Sequence, residues 1–229
     1  MKRSEINAIL GKAIVFLDEM KFLLPPFAHW TPEEWKKMGP QCREIFEAQL
    51  GWDITDFGSG DFDKTGLFLF TIRNGILDKS GKEKGKTYAE KVLIVEPGQV
   101  TPTHFHFFKM EDIINRGGGD LMVQLWNATE GNGLADTPVT VSTDGVARHL
   151  EAGGILRLQP GQSVCLPQRL YHKFWGEGST VLVGEVSRVN DDRTDNHFLE
   201  EVGRFPDIEE DEPPLHLLTC DYPRYYGAP

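Results

Sequence analysis

GQVTPTHFHFFKMEDIINRGG, residues 98–118, is the stretch on which the reading of this chain turns. Side chains two apart on a strand share a face, so His104 and His106 aim two imidazoles at one point from a rigid backbone. Glu111 stands an odd number of residues beyond His106, and strict alternation would turn it away. A bend or bulge within Phe107–Met110 is therefore required if the three are to meet. A further histidine follows in GQSVCLPQRLYHKFW, residues 161–175, where Gly161 and Pro167 lead to His172.

The spacing of Gly98, His104, His106, Glu111 and Gly118 resembles the first motif of the cupin superfamily at every fixed position. Gly161, Pro167 and His172 match its second motif, while Arg169 and Gly176 stand where that motif has glycine and asparagine. The resemblance implies an all-β fold, the cupin-type double-stranded β-helix or jelly-roll barrel, with His104, His106, Glu111 and His172 as ligands of one divalent ion. Three neutral imidazoles and a carboxylate suit manganese, iron, cobalt, nickel or zinc, and an octahedral ion would keep two positions for water or substrate. Hydrogen-bonded core histidines or a closed metal site are the competing readings; four residues in two spaced motifs favour metal binding.

The 229 residues suit one domain with extensions, and the formal charge of −11 opposes a nucleic-acid or anionic-membrane partner. No apolar run is long enough to span a bilayer, and the charged start MKRSEINAIL does not read as a secretory signal. Cys42, Cys165 and Cys220 are widely spread and follow no redox or metal spacing, so a cytoplasmic protein with free thiols is expected. The acidic run Glu209–Glu212 reads as a solvated surface segment.

Residues 1–60 read as a helical extension. Ile6, Ile9, Leu10, Ala13, Ile14 and Leu17 form one apolar helix face, Thr31-Pro32-Glu33-Glu34 is a capping box, and a third helix is expected over 43–50. These helices are expected to pack outside a sheet or form an oligomer interface. Residues 61–189 carry short apolar runs broken by turn residues, with strands expected at 67–72, 91–95, 121–127, 139–141, 155–158, 163–166 and 180–186. Residues 190–229 read as an irregular extension wrapping the barrel.

Lys109 shares the face of Glu111 in extended backbone, with a solvated surface lysine as the alternative. Glu185, late in the apolar strand after His172, is costly inside a barrel unless paired or functional. Lys91, Tyr88, Asp191, Asp192 and Asn196 are candidate hydroxyl ligands, with Arg188 placed to pair with the acids. Turn formation is the ordinary explanation for the Asp191–Asn196 group.

The resemblance narrows when further segments are included. MKRSEIN, NRGGGDLMVQLWNAT, GEVSRVNDDRTDNHF and EVGRFPDIEEDEPP are similar to the D-lyxose isomerase family of cupins, a likeness that spans most of the chain. It implies a manganese-activated aldose–ketose isomerase acting on D-lyxose and D-xylulose, and on D-mannose and D-fructose, as unphosphorylated sugars. A homodimer is implied as well. On that reading Glu185 moves a proton between C2 and C1, Glu111 shares proton transfer while binding metal, and Lys109, its pKa depressed by the nearby ion, serves the sugar oxygens. Lys91, Asp191 and Arg188 are the expected substrate-binding residues. A metal-dependent dioxygenase and a non-catalytic sugar-binding cupin remain as alternatives.

Overall fold

The computed structural model describes residues 1–78 and 80–225. Helix α1 (Arg3–Glu19) is followed by the short helices α2 (Pro32–Trp35) and α3 (Arg43–Glu47), and α4 (Tyr222–Tyr225) lies near the C-terminus. The strands are β1 (Gly51–Thr55), β2 (Leu67–Arg73), β3 (Ile76–Leu77), β4 (Glu83–Lys84), β5 (Tyr88–Val95), β6 (His104–His106) and β7 (Glu111–Asn127). They continue with β8 (Val139–Thr143), β9 (Val146–Leu150), β10 (Gly154–Leu158), β11 (Ser163–Leu166), β12 (Leu170–Arg188) and β13 (Asn196–Phe198).

Eleven of these strands form one antiparallel sheet whose main path runs β1-β2-β5-β12-β7-β11-β8-β9, a topology consistent with a cupin-like domain. The long strands β7 and β12 organise it: β12 pairs with β5, β6 and β7 along its length. Gly118 permits the crossing of β7 and β12, because its φ of 92° favours glycine and a Cβ there would meet the Thr180 carbonyl oxygen at 2.0 Å.

Alternation along β2 and β5 divides the apolar residues between two cores. Leu69, Leu93 and Val95 join Ile113, Val123, Val181 and Val183 on the interior face. Phe68, Phe70, Val92 and Ile94 point the other way and receive Ile6, Leu10, Ala13 and Leu17 from α1. The helix therefore covers the outside of the sheet, as its apolar stripe predicts. Thr31 caps α2 as expected, its Oγ1 accepting from the Glu34 N–H at 3.3 Å.

Three differences from the sequence reading have local causes. The third helix is shorter than expected: it stops at Glu47, and Gly51 opens β1, which pairs with β2 inside the segment read as wholly helical. Strand β9 is exposed at the sheet edge and carries no apolar alternation to betray it. The acidic run is not merely solvated. Glu210 binds the buried Arg3 guanidinium, and the Asp211 carboxylate accepts from the Ser4 N–H at 2.9 Å, where the first turn of α1 has donors to spare.

Candidate metal centre and active site

Register brings the histidines together. His104 and His106 lie on β6, and His172 on β12 is the direct cross-strand partner of His104. The three offer ring nitrogens within 4.8 Å of one another, and the His104 and His172 rings stand 4.3 Å apart. The required bend occurs after His106, where the Asp195 carboxylate accepts from the Phe108 and Lys109 N–H groups at 2.7 and 2.9 Å. That turn delivers Glu111 to the same face, its Oε1 3.3 Å from His106 Nε2 and 3.2 Å from His172 Nε2.

The second motif works despite its substitutions. Arg169 takes the left-handed φ of 60° where the cupin motif has glycine. Its N–H donates to the His106 carbonyl at 2.9 Å, and its guanidinium sits 5.2 Å from the Phe105 ring centre, so tertiary contacts hold a conformation a side chain otherwise disfavours.

The donor set fits a divalent cation. Nδ1 of His104 lies 2.8 Å from the Pro102 carbonyl oxygen and Nδ1 of His172 lies 3.0 Å from that of Leu170. Each Nδ1 therefore carries the proton, and each Nε2 presents a lone pair inward. Burial, reinforced by the neighbouring histidines, holds His104 well below the ordinary histidine value; burial likewise brings His172 to about 4. Burial opposes the charge of Glu111, but Lys109 and His106 outweigh it and keep the carboxyl ionised. A buried carboxylate facing an imidazole lone pair is a site built for a positive ion.

On β12, Glu185 shares the interior face with Val181 and Val183, and its cross-strand neighbours are Lys91 on β5 and Ile113 on β7. Lys109 Nζ bridges the two carboxylates, 2.7 Å from Glu111 Oε2 and 2.9 Å from Glu185 Oε1. Burial works against its charge, yet Glu111 and Glu185 hold its pKa above the ordinary lysine value, so the protein groups oppose the depression expected from a nearby cation. Lys91 Nζ lies 3.5 Å from Glu185 Oε1 and donates to Asn190 Oδ1 at 2.8 Å.

Two of the expected substrate-binding residues lie elsewhere. Arg188 follows Glu185 by an odd number of positions, so it faces out and pairs with Glu83 at 2.9 Å. Asp191 spends its carboxylate on its own turn, accepting from the Arg193 N–H and the Thr194 hydroxyl, and lines a neighbouring depression. Tyr88 is likewise exposed on the outer face. Asp192 lines the cavity instead. Burial opposes its charge, but Lys91 and Arg204 hold it far below the usual carboxylate range. Sequence reasoning missed Thr101 and Arg204 altogether, although both line the cavity. Arg204 carries no local signal, for its partners Asp53 and Asp192 come from distant segments.

Comparison with known proteins agrees with this geometry. The family model for D-lyxose isomerase matches residues 1–222. The chain is 51% identical over 228 residues to the D-lyxose/D-mannose isomerase of Serratia proteamaculans, covering 98% of this chain and 99% of that protein. It is 49% identical to the D-lyxose/D-mannose isomerase of Escherichia coli O157:H7, covering 98% of this chain and 100% of that one. In fold it is similar to the L-ribose isomerase of Acinetobacter sp. DL28 solved with L-ribose, with a TM-score of 0.59, 15% identity and 91% and 98% of the two chains covered. The chain belongs to the D-lyxose isomerase family.

Proposed function

We propose that the chain is a metal-dependent aldose–ketose isomerase interconverting D-lyxose with D-xylulose, and D-mannose with D-fructose, as unphosphorylated sugars. The observation that carries this reading is the Glu185–Lys109 pair facing the His104, His106, His172 and Glu111 donors across one cavity. A divalent ion held by those four residues, manganese first and iron, cobalt, nickel or zinc by the same donor chemistry, would polarise the sugar's carbonyl and adjacent hydroxyl and acidify the C2 hydrogen.

The chain's own groups move the protons. Glu185, its Oε1 2.9 Å from Lys109 Nζ and 3.5 Å from Lys91 Nζ, takes the proton from C2 and returns it to C1 of the enediol. Lys109, protonated between two carboxylates, donates to the oxygen that gains charge and helps carry the hydroxyl proton from O2 to O1. Glu111 steadies Lys109 from the opposite side and shares in proton transfer. Lys91, anchored by Asn190, holds Glu185 in place and is within reach of a sugar hydroxyl.

The strand order and the two apolar faces support closure of the sheet as a double-stranded β-helix. The same reading treats 61–189 as the barrel, with 1–60 and 190–229 as extensions packed on it in one domain, and makes the protein a cytoplasmic homodimer. No helix among the described residues is long and apolar enough to cross a membrane.

Glu185→Gln tests the mechanism because it separates ligand from base. It should retain metal and sugar binding while losing deuterium incorporation at C2 and C1 in heavy water by about 10²- to 10⁴-fold. Exchange near the parent rate would place the base elsewhere. A parent protein that, loaded with manganese, neither exchanges nor isomerises lyxose or mannose would defeat the isomerase reading itself.

A further inference from the structure

Asn190 stands just past the end of β12 and does not line the histidine cavity, yet its side chain meets charged groups that do. Its Oδ1 accepts from Lys91 Nζ at 2.8 Å and from Lys109 Nζ at 3.3 Å. The same two ammonium groups stand 3.5 and 2.9 Å from Glu185 Oε1. Two lysines from separate segments thus share two oxygens, one on Glu185 and one on Asn190. Like charges this close repel, and each shared oxygen draws them back together. An amide suits the second corner because it accepts without adding a carboxylate that would compete with Glu185 for the lysines. The same amide hydrogen-bonds the Asp192 carboxylate.

At Asn190 the backbone has left the sheet, so no ladder fixes where that oxygen sits. Asn74, just past the end of β2, takes the ladder's place. Its Oδ1 accepts from the Asn190 N–H at 3.0 Å, and its Nδ2 donates to the carbonyls of Asn190 at 2.9 Å and Ala48 at 3.1 Å. Asn74 is buried and spends its oxygen and both amide hydrogens on this bracket. Gly75 lets the two strand ends close on each other, for a Cβ there would meet the Lys86 carbonyl oxygen at 2.0 Å and Val189 Cγ2 at 2.5 Å. An unbroken line of hydrogen bonds and ion pairs therefore runs from Asn74 through Asn190 and the two lysines to Glu185.

We infer that Asn74 and Asn190 are positioning residues for proton transfer: Asn74 fixes the Asn190 backbone, and Asn190 pins Lys91 and Lys109 against Glu185. The catalytic consequence rests on the isomerase reading, while the tethering of the lysines stands on the hydrogen bonds alone. A carboxyl group carrying the proton from C2 can lose it to water before it reaches C1. Two lysines pinned to that carboxyl restrict its turning and the approach of water, so the tether favours direct return of the proton to C1.

The variants separate the links in full-length, manganese-loaded protein. Asn190→Leu removes the shared oxygen and leaves the backbone bracket intact. Its kcat should fall by about 10²-fold, with the KM for D-lyxose within about threefold of the parent because the residue does not line the cavity. Asn190→Asp keeps an acceptor for the lysines but gives up the contact with Asp192, and should recover about tenfold of that loss. Asn74→Ala leaves the Asn190 N–H and the Asn190 and Ala48 carbonyls unpaired, so its kcat and its Tm should both fall. With D-lyxose deuterated at C2, the share of deuterium that arrives at C1 of D-xylulose should drop at least about twofold in Asn190→Leu and Asn74→Ala. That share is a ratio within each turnover, so a smaller amount of folded protein does not move it.

A second readout needs no turnover. In the zinc-loaded, diamagnetic protein with ¹⁵N-labelled lysine, the buried Lys91 and Lys109 should give ammonium signals that survive exchange with water, and Asn190→Leu should lose them. Parent-like kcat and deuterium share in Asn190→Leu would overturn the inference even where the parent isomerises D-lyxose, as would ammonium signals that persist in that variant. Signals lost in Asn190→Leu while the parent turns over no aldose would uphold the tether and sink only the isomerase reading.

Discussion

Arg3 and Arg204 are both guanidinium groups sunk between two carboxylates, and they differ in what they leave unpaired. Arg3 uses all three nitrogens: Nε and Nη2 donate to Glu210 at 2.8 and 2.9 Å, and Nη1 and Nη2 donate to Asp221 at 3.0 and 2.7 Å. Arg204 engages Asp53 and Asp192 through Nη2 and leaves Nη1 buried without a hydrogen-bond partner. The first fork joins the start of α1 to the C-terminal segment, a closed structural clamp. The second sits at the wall of the cavity with one nitrogen unpaired, an incomplete fork where the first is complete. A buried arginine is thus read by its unspent donors more than by its burial.

If the clamp and the cavity are separate devices, the cavity can be disarmed without unfolding the chain. His104→Ala with His106→Ala should abolish stoichiometric metal and reduce activity below about one part in 10⁴. The double variant should retain the parent's far-ultraviolet circular dichroism, since the apolar interior face is untouched. Full metal occupancy in that variant would reject the ligand assignment; loss of the fold would show that the histidines carry the structure as well.

The converse variant attacks the clamp. Arg3→Met leaves the buried Asp221 without its cation and Glu210 with Arg224 alone, a loss that typically costs about 3–5 kcal/mol when a buried pair is broken on one side. Urea unfolding should show it as a lower midpoint with little change in slope. Activity per folded molecule should stay at the parent level because Arg3 does not line the cavity. An unchanged midpoint would remove Arg3 from the stability account, and a changed KM would join the two regions.

The same contrast explains what the sequence discloses. His104, His106 and His172 are legible because strand spacing and two motifs constrain them, and the α1 stripe is legible because burial on one helix face leaves a period. The bend that returns Glu111 to the histidines could be inferred from parity, though not Asp195 as its support. Asp191 and Asp192 are adjacent and chemically identical, and only the turn decides that one caps the backbone while the other faces the cavity. Arg188 fails on parity that its distance from Glu185 already contained. Arg3 and Arg204 gain their meaning from partners far along the chain, which no local pattern records.

The smallest expected effect is a pH dependence confined to the clamp. The hydrogen bond from Arg3 lowers the Glu210 pKa from its ordinary value, with the charges of Arg3 and Arg224 adding to it. The unfolded chain therefore binds a proton at Glu210 more readily than the folded chain does. The resulting stability is present above the unfolded glutamate value near roughly 4.3 and is lost as the pH falls through the lower folded value. Glu210 is partly exposed, which screens its interaction and keeps the contribution modest. Urea midpoints of the parent and Glu210→Gln should differ at pH 6 and converge as the pH approaches 3. A gap that is constant or widens on acidification would break the assignment of Glu210 as the ionised half of the clamp. Because the residue lies outside the cavity, the KM for D-lyxose at pH 6 should be the same in both proteins, and a shift there would show that the two arginine sites are coupled.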